Sequence, residues 1–287
     1  MKAVRDFLEL IKFEHTIFAL PFAYLGMLLA AGGWPSFQQF FWITVAMAAA
    51  RTLAMGSNRL ADRWIDARNP RTANRPLITG SISPRTAWTG TIMAGLILAL
   101  AAWQLGRLTF ILLPGAYFFL IGYSFTKRIT WMSHFVLGIT DGLAPLGAWA
   151  AVRNSLFTPQ DLPAWILLGV VTFWIAGFDM IYACQDVDFD RQEGLNSIPA
   201  RFGIPTALGL STICHVATVA LLLALGLVSN LGWPYWIGLT IVAGLLTWEH
   251  RLVRPDDLSK LGVAFFNING YISITLFFAI LGSLYIA

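Results

Sequence analysis

Asn58, Asp62 and Asp66 recur at four-residue intervals at the polar end of a long apolar run, in Asn58-Arg59-Leu60-Ala61-Asp62-Arg63-Trp64-Ile65-Asp66. A helix carried through that stretch sets the three polar heads near one face, one turn apart. Asp186 and Asp190 repeat the spacing at the end of another apolar run, in Asp186-Val187-Asp188-Phe189-Asp190. Paired carboxylates at membrane level are costly to keep ionised, because like charges repel and desolvation adds to the cost. A divalent cation relieves both. Hard carboxylate oxygens suit Mg2+, which keeps several waters and shares its remaining positions with substrate phosphates. The spacing therefore predicts two clusters, Asn58/Asp62/Asp66 and Asp186/Asp190, that clamp a diphosphate through Mg2+.

The elements that must position these residues are membrane helices. Of 287 residues, 57% are hydrophobic and 12% charged, and the mean hydropathy is +0.68. Soluble domains carry roughly a quarter charged residues, so the composition excludes an ordinary soluble protein. Apolar runs long enough to span a bilayer lie near 16–33, 38–57, 87–105, 108–125, 134–151, 163–182, 206–229, 233–249 and 264–286. The expected fold is a single all-α domain over 1–287, a bundle of nine transmembrane helices around a central cavity with a cytoplasmic mouth. The 87–125 block is divided only by Gln104 and Arg107. Met1–Glu14 does not read as a cleavable leader, because its charge is mixed and the first apolar run is long enough to span. Cys184 and Cys214 are embedded in apolar sequence and suggest no disulfide framework.

Charge sorts by side. With nine spans, all but three of the 19 Lys and Arg residues fall with the N-terminus and the even-numbered loops. The exceptions are Arg107 and Arg153 on the other side and Arg51 inside the second run. The positive-inside rule places the N-terminus and both acidic clusters in the cytoplasm and the C-terminus outside, in a multi-pass protein of the cytoplasmic membrane. Lipid is its one expected macromolecular environment; neither nucleic acid nor an obligate protein partner is implied.

Other polar residues arrange themselves around this scheme. Arg51 lies about two turns before Asn58, on the same face. Tyr123 and Lys127 share a four-residue spacing, Asp141 is followed by Gly142 and Pro145, which invite a kink, and Asp179 precedes Asp186 by seven residues. Each has a bland reading. Any one cytoplasmic Arg is first a topology anchor, and Asp66 or Asp188 alone is a solvated loop charge. Asp141 and Asp179 have the structural alternative of pairing with Arg51 or backbone. His134 and His215 read as packing residues, since no second ligand stands at metal spacing. The last three apolar runs are nearly free of ionisable groups apart from His215 and read as scaffold.

Two signatures carry a resemblance. Asn58-x3-Asp62-x3-Asp66 followed by Arg71-Thr72-Ala73-Asn74-Arg75-Pro76-Leu77 and Gly80, and Tyr182-x3-Asp186-x3-Asp190 followed by Ser197-Ile198-Pro199 and Phe202-Gly203, resemble those of the UbiA superfamily of intramembrane prenyltransferases. The similarity runs over essentially the whole chain, including Lys12 and Pro21. It is nearest the branch that prenylates 4-hydroxybenzoate, with likeness to a group that acts on 1,4-dihydroxy-6-naphthoate in a menaquinone route. One departure is Asn196, where many relatives have Lys before the Ser of the second signature.

The resemblance implies that Asn58, Asp62, Asp66, Asp186 and Asp190 hold Mg2+ against a polyprenyl diphosphate. It also implies that Arg71, Arg75 and Lys127 meet diphosphate oxygens. Arg51 matches an acceptor-side position where its fork faces the carboxylate of an aromatic acid, and Tyr123 and Asp179 match cavity positions. The implied activity is prenylation of the ring of a 4-hydroxybenzoate-type acid in respiratory quinone synthesis, with Asp179 or Asp190 as the base. Two other classes compete. A transporter keeps its charges near the bilayer midplane, whereas these concentrate at one edge. A phosphatidyl-transferring enzyme would follow Asp141-Gly142 with Ala-Arg, which the chain lacks.

Overall fold

A computed structural model describes residues 2–11 and 16–286 of the protein. Lys12, part of the family resemblance, lies outside the described residues. Helices and connecting turns make up the described chain, and no strand occurs in it: α1 (Lys2–Leu10), α2 (Thr16–Ala31), α3 (Phe37–Ala61), α4 (Arg63–Asp66), α5 (Pro84–Leu105), α6 (Arg107–Gly122), α7 (Ser133–Arg153), α8 (Leu162–Ala183), α9 (Val187–Gln192), α10 (Ile198–Phe202), α11 (Ile204–Val228), α12 (Trp233–Leu252) and α13 (Asn269–Ile286). Each predicted apolar run coincides with one long helix. Seven helical runs, beginning at Phe37, Pro84, Arg107, Ser133, Pro159, Ile204 and Asn269, are long and apolar enough to cross a membrane by length and composition. The other two long helices fall short by that measure: α2 is short, and α12 carries Glu249, His250 and Arg251 in its last turn.

Local chemistry sets the helix ends. Ser36 and Gln39 form a reciprocal capping box at the start of α3, and Ser83 caps α5 ahead of Pro84. The division between α5 and α6 falls at Gly106, whose φ of 132° lies where residues with a side chain rarely go. In contrast, α7 runs unbroken through Gly142 and Pro145.

Two close crossings hold the site-bearing helices together. A Cβ on Gly26 would sit 2.2 Å from the Pro145 carbonyl oxygen, and one on Gly138 would sit 2.2 Å from that of Thr172. Small residues at such points let helix backbones approach in a setting where apolar contact alone does not distinguish protein from lipid. The second crossing seats α7 against α8. A large core of Leu167, Val171, Trp174, Leu222, Tyr235 and Val242 joins α8, α11 and α12. A separate cluster of Ala49, Leu53, Ala94, Leu98, Leu113 and Leu120 joins α3, α5 and α6. Outward-facing apolar side chains such as Trp103, Phe118, Ile213 and Val216 are exposed, as a lipid-facing wall requires.

Candidate active site

The helix predicted to run through the first acidic cluster is broken at its centre. Asp62 ends α3 with φ −92° and ψ 5°, and α4 begins at the next residue. The four-residue register survives the break, because the Asp62 amide donates to the Asn58 carbonyl at 2.9 Å and the Asp66 amide to the Asp62 carbonyl at 2.8 Å. In the second cluster, the chain passes from α8 through a 3-10 turn, Cys184–Asp186, into α9.

Long-range ion pairs bring the two clusters together. Arg71, from the loop after α4, grips Asp186 with both arms of its fork, Nε to Oδ1 at 3.0 Å and Nη2 to Oδ2 at 2.7 Å. Its third arm donates to the Tyr182 hydroxyl at 3.1 Å. Asn69 adds a bond from Nδ2 to Asp186 Oδ1 at 3.3 Å, and Arg68 donates from Nε to Glu193 at 2.9 Å. Asp66 pairs with Arg75, Asp62 with Arg128 at 2.8 Å, and Asp190 with Lys127 at 3.7 Å. Asn58 donates to Asp62 Oδ2 at 2.9 Å. Each of the four predicted carboxylates thus has its own cation at one end of the bundle.

Electrostatics at this mouth follow from burial. Desolvation raises the Asp62 carboxyl above the ordinary aspartate range, the Asp66 charge adds to the rise, and Arg128 works against it. Burial works against the charge of Arg71, but the hydrogen bonds and charge of Asp186 outweigh it and raise the guanidinium. Asp190 Oδ2 is buried with no hydrogen-bond partner. Among the described residues, no three His, Cys, Asp or Glu side chains come together as a closed metal cage. The donor set nevertheless suits Mg2+, which binds through one or two carboxylates and completes its shell with water and phosphate.

A second group of predicted residues lines a cavity of about 350 Å3. Arg51 from α3, Tyr123, Asp141 from α7 and Asp179 from α8 supply polar atoms to it, among apolar side chains such as Leu98, Leu113, Leu137 and Phe178. The Arg51 Nε is buried without a hydrogen-bond partner. Tyr123 and Lys127 do not share a face as an α-helix would place them. They lie in a 3-10 turn, Tyr123–Arg128, in which Tyr123 donates to the Ala54 carbonyl at 3.2 Å while Lys127 faces Asp190. Mouth and cavity adjoin through this turn and through the two turns of chain between Asp179 and Asp186.

Several partners escaped the sequence reading. His134, expected only to pack, is fully buried and pairs through Nδ1 with Asp179 Oδ2 at 2.6 Å. Glu249, the last residue of the 233–249 run, is buried beside His215, so the last three helices carry more than that one ionisable group. Arg128 and Asn69 had no signal beyond lying in basic or Pro-interrupted loops. Asn196 has a visible role: its backbone and side-chain amides both donate to the Lys127 carbonyl, at 2.6 and 3.4 Å, which ties the second signature to the turn carrying Lys127.

Fold and site together define a multi-pass membrane protein with a charged, cation-matched mouth over an apolar cavity. Comparison with known proteins makes the class specific. Residues 19–271 match the UbiA prenyltransferase family. A 4-hydroxybenzoate octaprenyltransferase of Pseudoalteromonas translucida is 30% identical over 260 residues, covering 91% of this chain and 87% of the relative. A namesake of Nitrosospira multiformis is 32% identical over 252 residues, covering 88% and 85%. Among solved structures, the apo form of a UbiA homolog from Aeropyrum pernix K1 superposes with a TM-score of 0.85 at 33% identity, covering 93% of this chain and 97% of that one. A UbiA homolog from Archaeoglobus fulgidus bound to DMAPP and Mg2+ shares the fold, with a TM-score of 0.68 at 19% identity and coverage of 94% and 99%. The chain belongs to the UbiA prenyltransferase family and is a prenyltransferase, which sets aside the transporter reading.

Proposed function

We propose that the protein transfers a polyprenyl group from a polyprenyl diphosphate to the ring of a hydroxylated aromatic acid of the 4-hydroxybenzoate type. The observation that carries this reading is the adjacency of the two groups of residues: a mouth built for a metal-bound diphosphate and an apolar cavity holding the unpartnered Nε of Arg51. Asn58, Asp62, Asp66, Asp186 and Asp190 are the residues that would hold Mg2+. Bound there, the metal offsets charge on the leaving diphosphate. Arg71, Arg75 and Lys127 take up diphosphate oxygens, the forks by paired hydrogen bonds and the lysine as a point charge. Arg51 holds the acceptor carboxylate, which presents the phenol and its ortho carbon to the allylic end of the chain. Tyr123 and the apolar wall orient the ring and keep out water that would quench the allylic cation. A carboxylate, Asp179 or Asp190, receives the ring proton. Sidedness follows from the basic loops: the mouth faces the cytoplasm, the N-terminus lies inside and the C-terminus outside the inner membrane.

The test is a prenyl-transfer assay on purified protein with Mg2+ and a polyprenyl diphosphate. 4-Hydroxybenzoate and 1,4-dihydroxy-6-naphthoate are offered separately, and products are read by mass spectrometry. Prenylated hydroxybenzoate is expected. A naphthoate product alone moves the enzyme to menaquinone synthesis, and absence of Mg2+-dependent diphosphate binding overturns the reading altogether.

A further inference from the structure

The His134 ring is fully buried, and both of its nitrogens are committed. The Ile198 amide donates to Nε2 at 3.3 Å. Ile198 is the first residue of α10, so its N–H is one of the orphan donors that every helix N-terminus leaves. An amide only donates, so Nε2 is the accepting nitrogen, and the neutral ring carries its proton on Nδ1. That Nδ1–H faces Asp179 Oδ2 at 2.6 Å. About 20% of the Asp179 side chain is exposed, and the residue lines the cavity. Among the described residues no hydrogen bond is made to its other oxygen, Oδ1. A histidine needed only to cap α10 would not require a cavity carboxylate on its other nitrogen.

We infer that His134 is the positioning residue for removal of the ring proton, holding Asp179 by Oδ2 so that Oδ1 faces the acceptor. This inference rests on the prenyl-transfer reading and selects Asp179 over Asp190, whose carboxylate faces Lys127 at the mouth. In the step served, the ring carbon that has bonded to the prenyl chain loses its hydrogen. The C–H electron pair restores aromaticity, and the proton passes to Asp179 Oδ1. His134 keeps its Nδ1 proton throughout, and Asp179 gives up the acquired proton to water when the product leaves. Because Ile198 belongs to the second signature, the same imidazole ties the base to the segment carrying Asp186 and Asp190. A displaced signature would therefore also displace the base.

The test combines kinetics with a readout that needs no turnover. With geranyl diphosphate and 4-hydroxybenzoate as probes, His134→Ala is expected to lower kcat by about 100-fold, the lower end of what a positioned general base contributes. Both KM values should stay near wild type. With 4-hydroxybenzoate deuterated at the carbons ortho to the phenol, a primary isotope effect absent from wild type should appear in His134→Ala, because proton removal has become slow. His134→Asn places an amide N–H where Nδ1 stood and should recover part of the lost kcat. A structural role alone would weaken diphosphate binding and raise no isotope effect, and that result overturns the inference. Independently, 15N-histidine spectra of the solubilised protein should show one ring, assigned by its loss in His134→Asn, protonated on Nδ1 and shifted by Asp179→Asn. Protonation on Nε2 overturns the inference whatever activity the variants retain. If wild type prenylates neither hydroxybenzoate nor naphthoate, the functional reading fails, while the histidine spectrum still decides the pairing.

Discussion

Replacing Arg51 with Met isolates the acceptor end of the reaction. Arg51 sits in α3, its Nε is buried without a partner, and its neighbours in the cavity are mostly apolar. Its charge offsets that of Asp141 in the same cavity, so removing it leaves a carboxyl uncompensated at membrane depth and should lower thermal stability modestly. The larger loss appears on binding. Hydrogen bonds to a charged group contribute about 1.5–3 kcal/mol each. At about 1.4 kcal/mol per decade, forfeiting one such bond to a carboxylate raises the acceptor KM by roughly 10- to 150-fold. The KM for the prenyl diphosphate should not move, since Arg51 takes no part in the mouth. The assay is steady-state prenylation of 4-hydroxybenzoate beside phenol, which has the same nucleophilic ring and no carboxylate. Wild type should favour the acid, and Arg51→Met should lose that preference while handling phenol as wild type does. Arg51→Lys keeps the charge without the fork and should fall between. Equal losses on both acceptors would refute the assignment, because the arginine would then be acting on something other than the carboxylate.

Asp62→Ala and Asp186→Ala should each abolish turnover while leaving a protein that extracts and elutes as wild type does; full activity in either counts against the metal clamp. Chelation by EDTA should stop turnover and Mg2+ should restore it, and isothermal titration should show diphosphate affinity rising with Mg2+ added first, because the metal turns repelling carboxylates into an anion site. Gly138→Val should lower the melting temperature strongly, since even the first carbon of the new side chain would lie 2.2 Å from the Thr172 carbonyl oxygen at the α7–α8 crossing. Overpacking of that kind costs about 1–3 kcal/mol or more, and an unchanged melting curve would contradict the crossing.

The parts of this molecule that could be read from sequence are those set by local regularity. Apolar runs had to become helices because lipid leaves backbone groups no other partner, so every expected run found its helix. Asn58, Asp62 and Asp66 stay in register because backbone hydrogen bonds span the break at Asp62, where α3 gives way to α4. The failures were non-local or turned on helix type. Tyr123 and Lys127 keep their four-residue spacing, but the segment is a 3-10 turn, so one meets the Ala54 carbonyl and the other Asp190. His134 sits 45 residues from Asp179 and 64 from Ile198, and no spacing rule reaches across such separations. Glu249 lay just past the last apolar residue of its run, where a charge looks like the edge of the membrane. Its burial arises from neighbours on other helices: Asn269 donates to its Oε1 at 3.3 Å.

The arrangement of cations at the mouth bears on how substrate is admitted. Asp62, Asp66, Asp186 and Asp190 each face a basic residue, and three of those four cations, Arg71, Arg75 and Lys127, are the ones proposed to meet the diphosphate. A buried carboxylate cannot stand unpaired without a penalty of several kcal/mol. A cation that moves to a phosphate must therefore be replaced at its carboxylate by another positive charge, and Mg2+ supplies two. In the proposed reaction, metal and diphosphate would then favour each other's binding by exchange of partners, beyond simple attraction. Full compensation of the leaving group would exist only once both had arrived. Arg128, which pairs with Asp62 and takes no phosphate in this scheme, marks the boundary of the exchange. Its replacement by Met should weaken stability without metal more than it weakens catalysis with it.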